Sequence, residues 1–134
     1  MTLDPIPIAV RAIAEFAISR RVAWEDSDEV RRHIDAVVDA LHGYEEVLEV
    51  EVEAELIDGR IRMLLICAVL PDEDADLCTR RAAAAAIRQC GGRHDGLLPL
   101  EEESRVKANR NAWSGLRTPR WEPRRFAVQR VVAD

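Results

Sequence analysis

Val47-Leu48-Glu49-Val50-Glu51-Val52-Glu53-Ala54-Glu55-Leu56-Ile57-Asp58-Gly59 is the stretch that decides the fold class of this chain. Apolar and acidic residues alternate, and a β-strand sends successive side chains to opposite faces. Leu48, Val50, Val52, Ala54 and Leu56 therefore share one face, and Glu49, Glu51, Glu53 and Glu55 the other. Arg60 to Leu70 follows and is apolar at nearly every position after Arg62, as suits a strand covered on both faces. Asp58-Gly59 between two such runs signals a hairpin, because a type I′ turn needs positive φ at both central residues. A two-residue turn sets Leu56 opposite Ile61, Ala54 opposite Met63, Val52 opposite Leu65 and Val50 opposite Cys67. On the acidic face Leu64 and Ile66 would stand bare among glutamates, so a third strand or another chain is expected to cover them.

Upstream, Pro5 and Pro7 open a segment running to about Arg21. At about 100° per residue its polar residues Arg11, Glu15 and Ser19 fall on one narrow stripe, which predicts a helix. The apolar remainder covers more than half the circumference, too much for one small core. Residues 1–24 are thus expected to be a helical dimer arm, with Ile6, Val10, Ile13 and Phe16 as the pairing surface. A second helix is predicted from Asp26 to Leu41, with Val30, Ile34, Val37, Val38 and Leu41 on its inner face and His33 on its polar side. His42 and Gly43 suit its C-terminal end. Pro71 ends the hairpin, and Asp72 to Cys90 predicts a third helix stopped by Gly91-Gly92. Its inner arc holds Ala75, Cys78, Ala82, Ala83, Ala86, Ile87 and Cys90, with Arg80, Arg81 and Arg88 opposite. Glu101 to Trp113 reads as a short helix with favourable four-residue charge pairs. Gly115 to Pro123 reads as a loop, because the residue before a proline is driven out of the helical region. Phe126 to Val132 is the expected final strand.

The predicted fold is α+β: an antiparallel sheet built on the 47–70 hairpin plus a C-terminal strand, with helices packed on one face. At 134 residues the chain makes one domain, 1–134. Aromatics are only 4%, so aliphatic residues and alanine must fill the core. No apolar run approaches the ~20 residues of a membrane span, and Asp4, Arg11 and Glu15 break any signal-peptide pattern. A cytoplasmic location is expected. Cys67, Cys78 and Cys90 lack a paired spacing and read as reduced core residues. The net charge of −6 is unevenly spread: the basic C-terminal segment 104–134 carries +6, so the rest of the chain carries −12.

Chemistry-bearing patterns are sparse. His33, His42 and His94 share no ligand-like spacing, so no metal is expected. Glu49, Glu51, Glu53 and Glu55 recur about 7 Å apart along a strand, which suits a solvated acidic face better than a cation site. No phosphate-binding glycine loop or nucleophile elbow occurs, and neither catalytic residues nor a cofactor are expected. Arg110, Trp113, Arg117, Arg120 and Trp121 interleave arginine with tryptophan, the composition of a phosphate-neutralising and base-stacking surface. From Ser27 onward the order helix, strand, strand, helix, helix, strand resembles the bacterial type of KH domain. That resemblance implies RNA binding, with Arg93 added to the basic set, although the linker Gly91-Gly92-Arg93-His94-Asp95-Gly96 lacks the family's Gly-x-x-Gly clamp. Against it stands the −12 body, whose glutamates compete for the same arginines at no association cost. The leading expectation is a non-enzymatic regulatory protein that contacts itself as a homodimer and another protein. An RNA- or single-strand-binding module is the alternative, and an enzyme with a pocket near His94 a third.

Overall fold

The computed structural model describes residues 6–19, 27–55, 57–108 and 119–131. The element order is β1 (Ile8–Ser19), α1 (Ser27–His42), β2 (Val47–Glu55), β3 (Arg60–Val69), α2 (Ala75–Gln89), β4 (Arg93–His94), α3 (Leu100–Ala108) and β5 (Arg120–Arg130). The strands form one sheet in the order β2-β3-β1-β5-β4. All pairings are antiparallel except β4 with β5. Chain order and sheet order together make two split βαβ units, β1-α1-β2 and β3-α2-β5, each straddling a strand of the other. This is the ferredoxin-like arrangement, and it establishes the α+β class.

The largest correction concerns the N-terminal segment. It is a twelve-residue strand at the centre of the sheet, and no helical arm forms over its described residues. Arg11, Glu15 and Ser19 are four apart, and four residues return to the same side of a strand as well as roughly one turn of a helix. Ladders on both sides decide between the two. Val10, Ala12, Ala14 and Phe16 pair with Cys67, Leu65, Met63 and Ile61 of β3. Val10, Ala12, Ala14, Phe16 and Ile18 are all buried. On the other flank β1 pairs with β5, and a bulge falls between Glu15, opposite Arg125, and Phe16, opposite Pro123. The bulge is where the ladder tolerates a proline, which has no N–H to give. It lets β5 begin at Arg120, inside the stretch predicted as loop.

The hairpin forms, but two residues out of the expected register. Ala54 opposes Ile61, Val52 opposes Met63 and Val50 opposes Leu65. A shift of two keeps every side chain on its own face, so the alternation survives. The turn differs for a conformational reason. Gly59 has φ 65°, whereas among the described residues none other than glycine has positive φ, so Asp58 does not complete a type I′ pair. A longer loop closed by the Asp58 amide on the Glu55 carbonyl at 3.2 Å replaces it. A second irregularity lies between Val47 and Glu49, and there Leu48 is turned outward, 58% exposed.

The core lies between the buried side of the sheet and the helices. Val30, Ile34, Val37 and Leu41 of α1 meet Ala82, Ala83, Ala86 and Ile87 of α2 and the inward residues of β1 and β3. Asp74 caps α2 by accepting from the Leu77 amide at 3.1 Å. Gly91, at φ 83°, ends that helix as the sequence predicts. Cys67 is in the core, but Cys78 and Cys90 are only half-buried. No helix among the described residues is long and apolar enough to cross a membrane.

Candidate functional site

Three features could carry function: the sheet face that bears no described helix, a buried polar network behind β4, and a cavity beside α2. The open face is set by register. Crossing from β2 through β3 and β1 to β5, one row reads Glu53, Arg62, Glu15, Arg125. The next reads Glu51, Leu64, Ile13, Ala127, and the one after it Glu49, Ile66, Arg11, Gln129. The first row alternates in sign across all four strands, and its Arg62–Glu15 pair stands at 3.7 Å on exposed side chains. The second has an apolar centre, where Leu64 is half-buried and Ile13 is 38% exposed. No aromatic side chain lies on these rows, so they offer no platform for stacking bases.

Behind β4 the molecule hides both of its best-placed histidines. Trp121 is 0% exposed and packs edge-on against Phe16, with ring centroids 5.2 Å apart. Its Nε1–H donates to His33 Nε2 at 3.0 Å, and His33 Nδ1 lies 3.1 Å from the Cys90 carbonyl. Indole only donates and a carbonyl only accepts, so His33 is the neutral tautomer protonated at Nδ1. Burial lowers its pKa below the usual histidine value, partly opposed by the bond to Cys90. A Cβ on Gly92 would stand 2.8 Å from Ile87 Cγ2 and 2.9 Å from the His33 ring, so only glycine fits beside this histidine.

His94 is held in the same manner. Arg88 Nη1 donates to its Nε2 at 3.2 Å, and its Nδ1–H donates to Glu103 Oε1 at 2.8 Å. The same carboxylate oxygen accepts the amides of Leu97 at 3.2 Å and Leu98 at 3.0 Å. Glu103 Oε2 is buried without a hydrogen-bond partner. The chain Glu103–His94–Arg88 thus runs from the interior to a guanidinium at the surface.

That guanidinium lines a cavity of about 740 Å³. Its walls are Cys78, Arg81, Ala82, Ala85 and Arg88 of α2 with Glu73 just before it, Glu102, Arg105 and Val106 of α3 with Leu98 just before it, and Tyr44, Glu46, Cys67, Ala68 and Val69 where the hairpin ends. Arg81 is paired with Glu102, its Nε donating at 3.0 Å. Glu73 is committed to the Leu70 amide at 2.8 Å and the Cys78 thiol at 3.6 Å. Tyr44 donates its hydroxyl to Gln89 at 2.8 Å. Burial pushes the Cys67 thiol up to about 11 and raises Cys78 and Tyr44 as well. These groups stay protonated at neutral pH, which suits them to binding and not to nucleophilic attack. Among the described residues no three histidine, cysteine, aspartate or glutamate side chains come together as a metal-ligand set.

Several expected site residues are placed differently. Val10 and Phe16 belong to the core of the single chain and cannot form a dimer surface, because pleating turns them away from Ile13. Ile6 is exposed and lies before β1. Trp121 is a core anchor, unavailable for stacking on a base. Arg120 is bound to Asp95 and, at 3.2 Å, to Glu122. Arg93 opens β4 opposite Arg120. Arg110, Trp113 and Arg117 lie outside the described residues. Of the arginines opposite the inner arc of α2, Arg80 binds Asp76 at 3.0 Å and covers the Phe126 ring at 4.4 Å, while Arg81 and Arg88 line the cavity. The buried roles of His33 and His94 were missed. His33 stands between Arg32 and the buried Ile34 on α1, and only the distant Trp121 and Gly92 reveal its environment.

No protein-family model and no curated protein matches the chain. Among solved structures it is similar to a conserved protein from Methanosarcina mazei Go1, at 14% identity and a TM-score of 0.36, over 92% of this chain and 91% of that one.

Proposed function

We propose that this protein is a cytoplasmic, non-enzymatic interaction module that pairs with a second copy through the open face of its sheet. The observation that carries the reading is the alternating row Glu53-Arg62-Glu15-Arg125 beside the apolar pair Leu64 and Ile13. A two-fold axis running along the strands between β3 and β1 reverses the order of strands in the second copy. Arg62 then meets the partner subunit's Glu15, Glu53 meets the partner subunit's Arg125, and Leu64 meets the partner subunit's Ile13. Such a surface is complementary to itself, as a two-fold interface requires, and sheets stack at about 10 Å with this kind of interdigitation. The charge rows give register and discrimination, and the apolar centre supplies most of the free energy. The thiols held protonated and the engagement of both ring nitrogens in His33 and His94 support contact over catalysis as the mode of action.

Sedimentation equilibrium tests this directly. The expected mass at micromolar concentration is twice the 15.1 kDa of the chain. Ile13→Asp should give a folded monomer, since that side chain is not part of the core. Glu15→Arg should also dissociate the pair, and Glu15→Arg with Arg62→Glu should restore it by exchanging the two charges on both copies. A monomeric native chain, or a dimer indifferent to Ile13→Asp, would overturn the reading.

A further inference from the structure

We propose that the cavity between α2 and α3 binds a small organic anion, a carboxylate or phosphate head carried on an apolar body. This stands apart from self-pairing, because the cavity lies on the helix-bearing side of the sheet. Its volume of about 740 Å³ is that of a small-molecule site. Three arginines line it, and they are not equivalent. Arg81 is neutralised by Glu102. Arg105 has no ion-pair partner among the described residues and is exposed. Arg88 is the distinctive one. Its Nη1 is held by His94 Nε2 at 3.2 Å, an acceptor without charge, so the guanidinium is oriented but keeps its full positive charge.

The support for that orientation is buried. His94 is fully enclosed, and Glu103 fixes its tautomer through the 2.8 Å bond to Nδ1 while Leu97 and Leu98 amides hold the carboxylate. A buried network of this kind is expensive to maintain, and its outward product is one preorganised guanidinium at the cavity. Preorganised forks with unspent N–H groups bind carboxylate and phosphate oxygens through charge-assisted bonds. Beyond the arginines, Ala82, Ala85, Val69, Leu98 and Val106 present apolar surface for the body of the ligand. Glu46 and Glu73 add negative charges to the lining beside the paired Glu102, which disfavours a ligand with a second anionic group.

Calorimetric titration of the full chain with phenyl phosphate and with phenylacetate tests the proposal and separates the two heads. Saturable one-to-one binding of at least one of them is expected, with none for benzyl alcohol. Arg88→Gln and Arg105→Gln should each weaken binding by roughly tenfold or more, the worth of a charge-assisted hydrogen bond, at unchanged circular dichroism. Should Arg88→Gln fail to fold, Arg105→Gln decides, since that side chain holds nothing else. No saturable binding of either anion at millimolar concentration overturns the proposal, as does native affinity in the variants that fold. Inorganic phosphate binding as tightly as phenyl phosphate would overturn the apolar-body assignment. Ile13→Asp should retain full affinity, so loss of pairing and loss of ligand binding are read separately.

Discussion

At the scale of single residues, His33 is the most consequential side chain in the interior. Its neutral ring accepts from Trp121 and donates to Cys90, and a second proton would break the first of these bonds. In the unfolded chain the imidazole titrates near 6.5, whereas in the folded chain burial holds it lower. Between the two values the unfolded state binds more protons. The contribution of His33 is therefore complete above about pH 6.5 and is lost as pH falls toward the folded value. Urea unfolding followed at pH 7.5 and pH 5.5 should show this decline, and His33→Gln should shrink it; an undiminished decline in that variant would remove His33 as the cause. Trp121→Phe leaves His33 Nε2 buried without a donor and should cost about 1–3 kcal/mol. Gly92→Ala should cost about 1–3 kcal/mol as well, since its Cβ meets the His33 ring at 2.9 Å. A neutral effect there would mean that α1 and the β4 segment move apart freely.

At the scale of elements, β1 carries the fold. It lies between β3 and β5 and pairs along nearly its whole length with both. Adjacent residues on it have opposite fates: Ala14 is 1% exposed and Ile13 is 38% exposed. Ala14→Asp should abolish cooperative unfolding, because an unpaired carboxylate in a sealed core costs several kcal/mol. Ile13→Asp should leave the single chain folded and cost about 1 kcal/mol or less in a monomer. Far-UV circular dichroism with thermal melts distinguishes them. Equal damage by both would show that the open face is buried within one chain by residues outside those described. The edge strand β2 is guarded differently. Glu49, Glu51, Glu53 and Glu55 place like charges along its exposed side, which opposes edge-to-edge addition of another strand.

At the scale of the whole molecule, the proposed self-pairing would couple stability to concentration. If the open faces stack, the folded dimer is favoured by mass action and the melting temperature rises with protein concentration. Melts across a hundredfold range of concentration should show this rise for the native chain and none for Ile13→Asp. A concentration-independent melt in the native chain would contradict a dimer that is tight in this range. Added salt should lower the melting temperature of the dimer more than that of the variant. The row Glu53-Arg62-Glu15-Arg125 is screened within a Debye length of about 8 Å at physiological ionic strength, and its pairing is weakened further above that.

The sequence by itself determined the hairpin, the two long helices and the α+β class, because those depend on local periodicity and on stop signals such as Gly91. Alternation between Val47 and Glu55 cannot be satisfied by a helix, and the 3.6-residue face of α1 cannot be satisfied by a strand. Tertiary structure decided the rest. A spacing of four leaves β1 ambiguous, and only ladders to residues about fifty and one hundred and ten positions away turn it into the central strand. The two-residue shift in the hairpin follows from the longer turn, since both registers keep the same faces and alternation does not choose between them. The buried relay was invisible for the same reason: His94 could be singled out only as a residue near a pocket, and its link to Arg88 and Glu103 arises only when β4 brings it under α2 and α3.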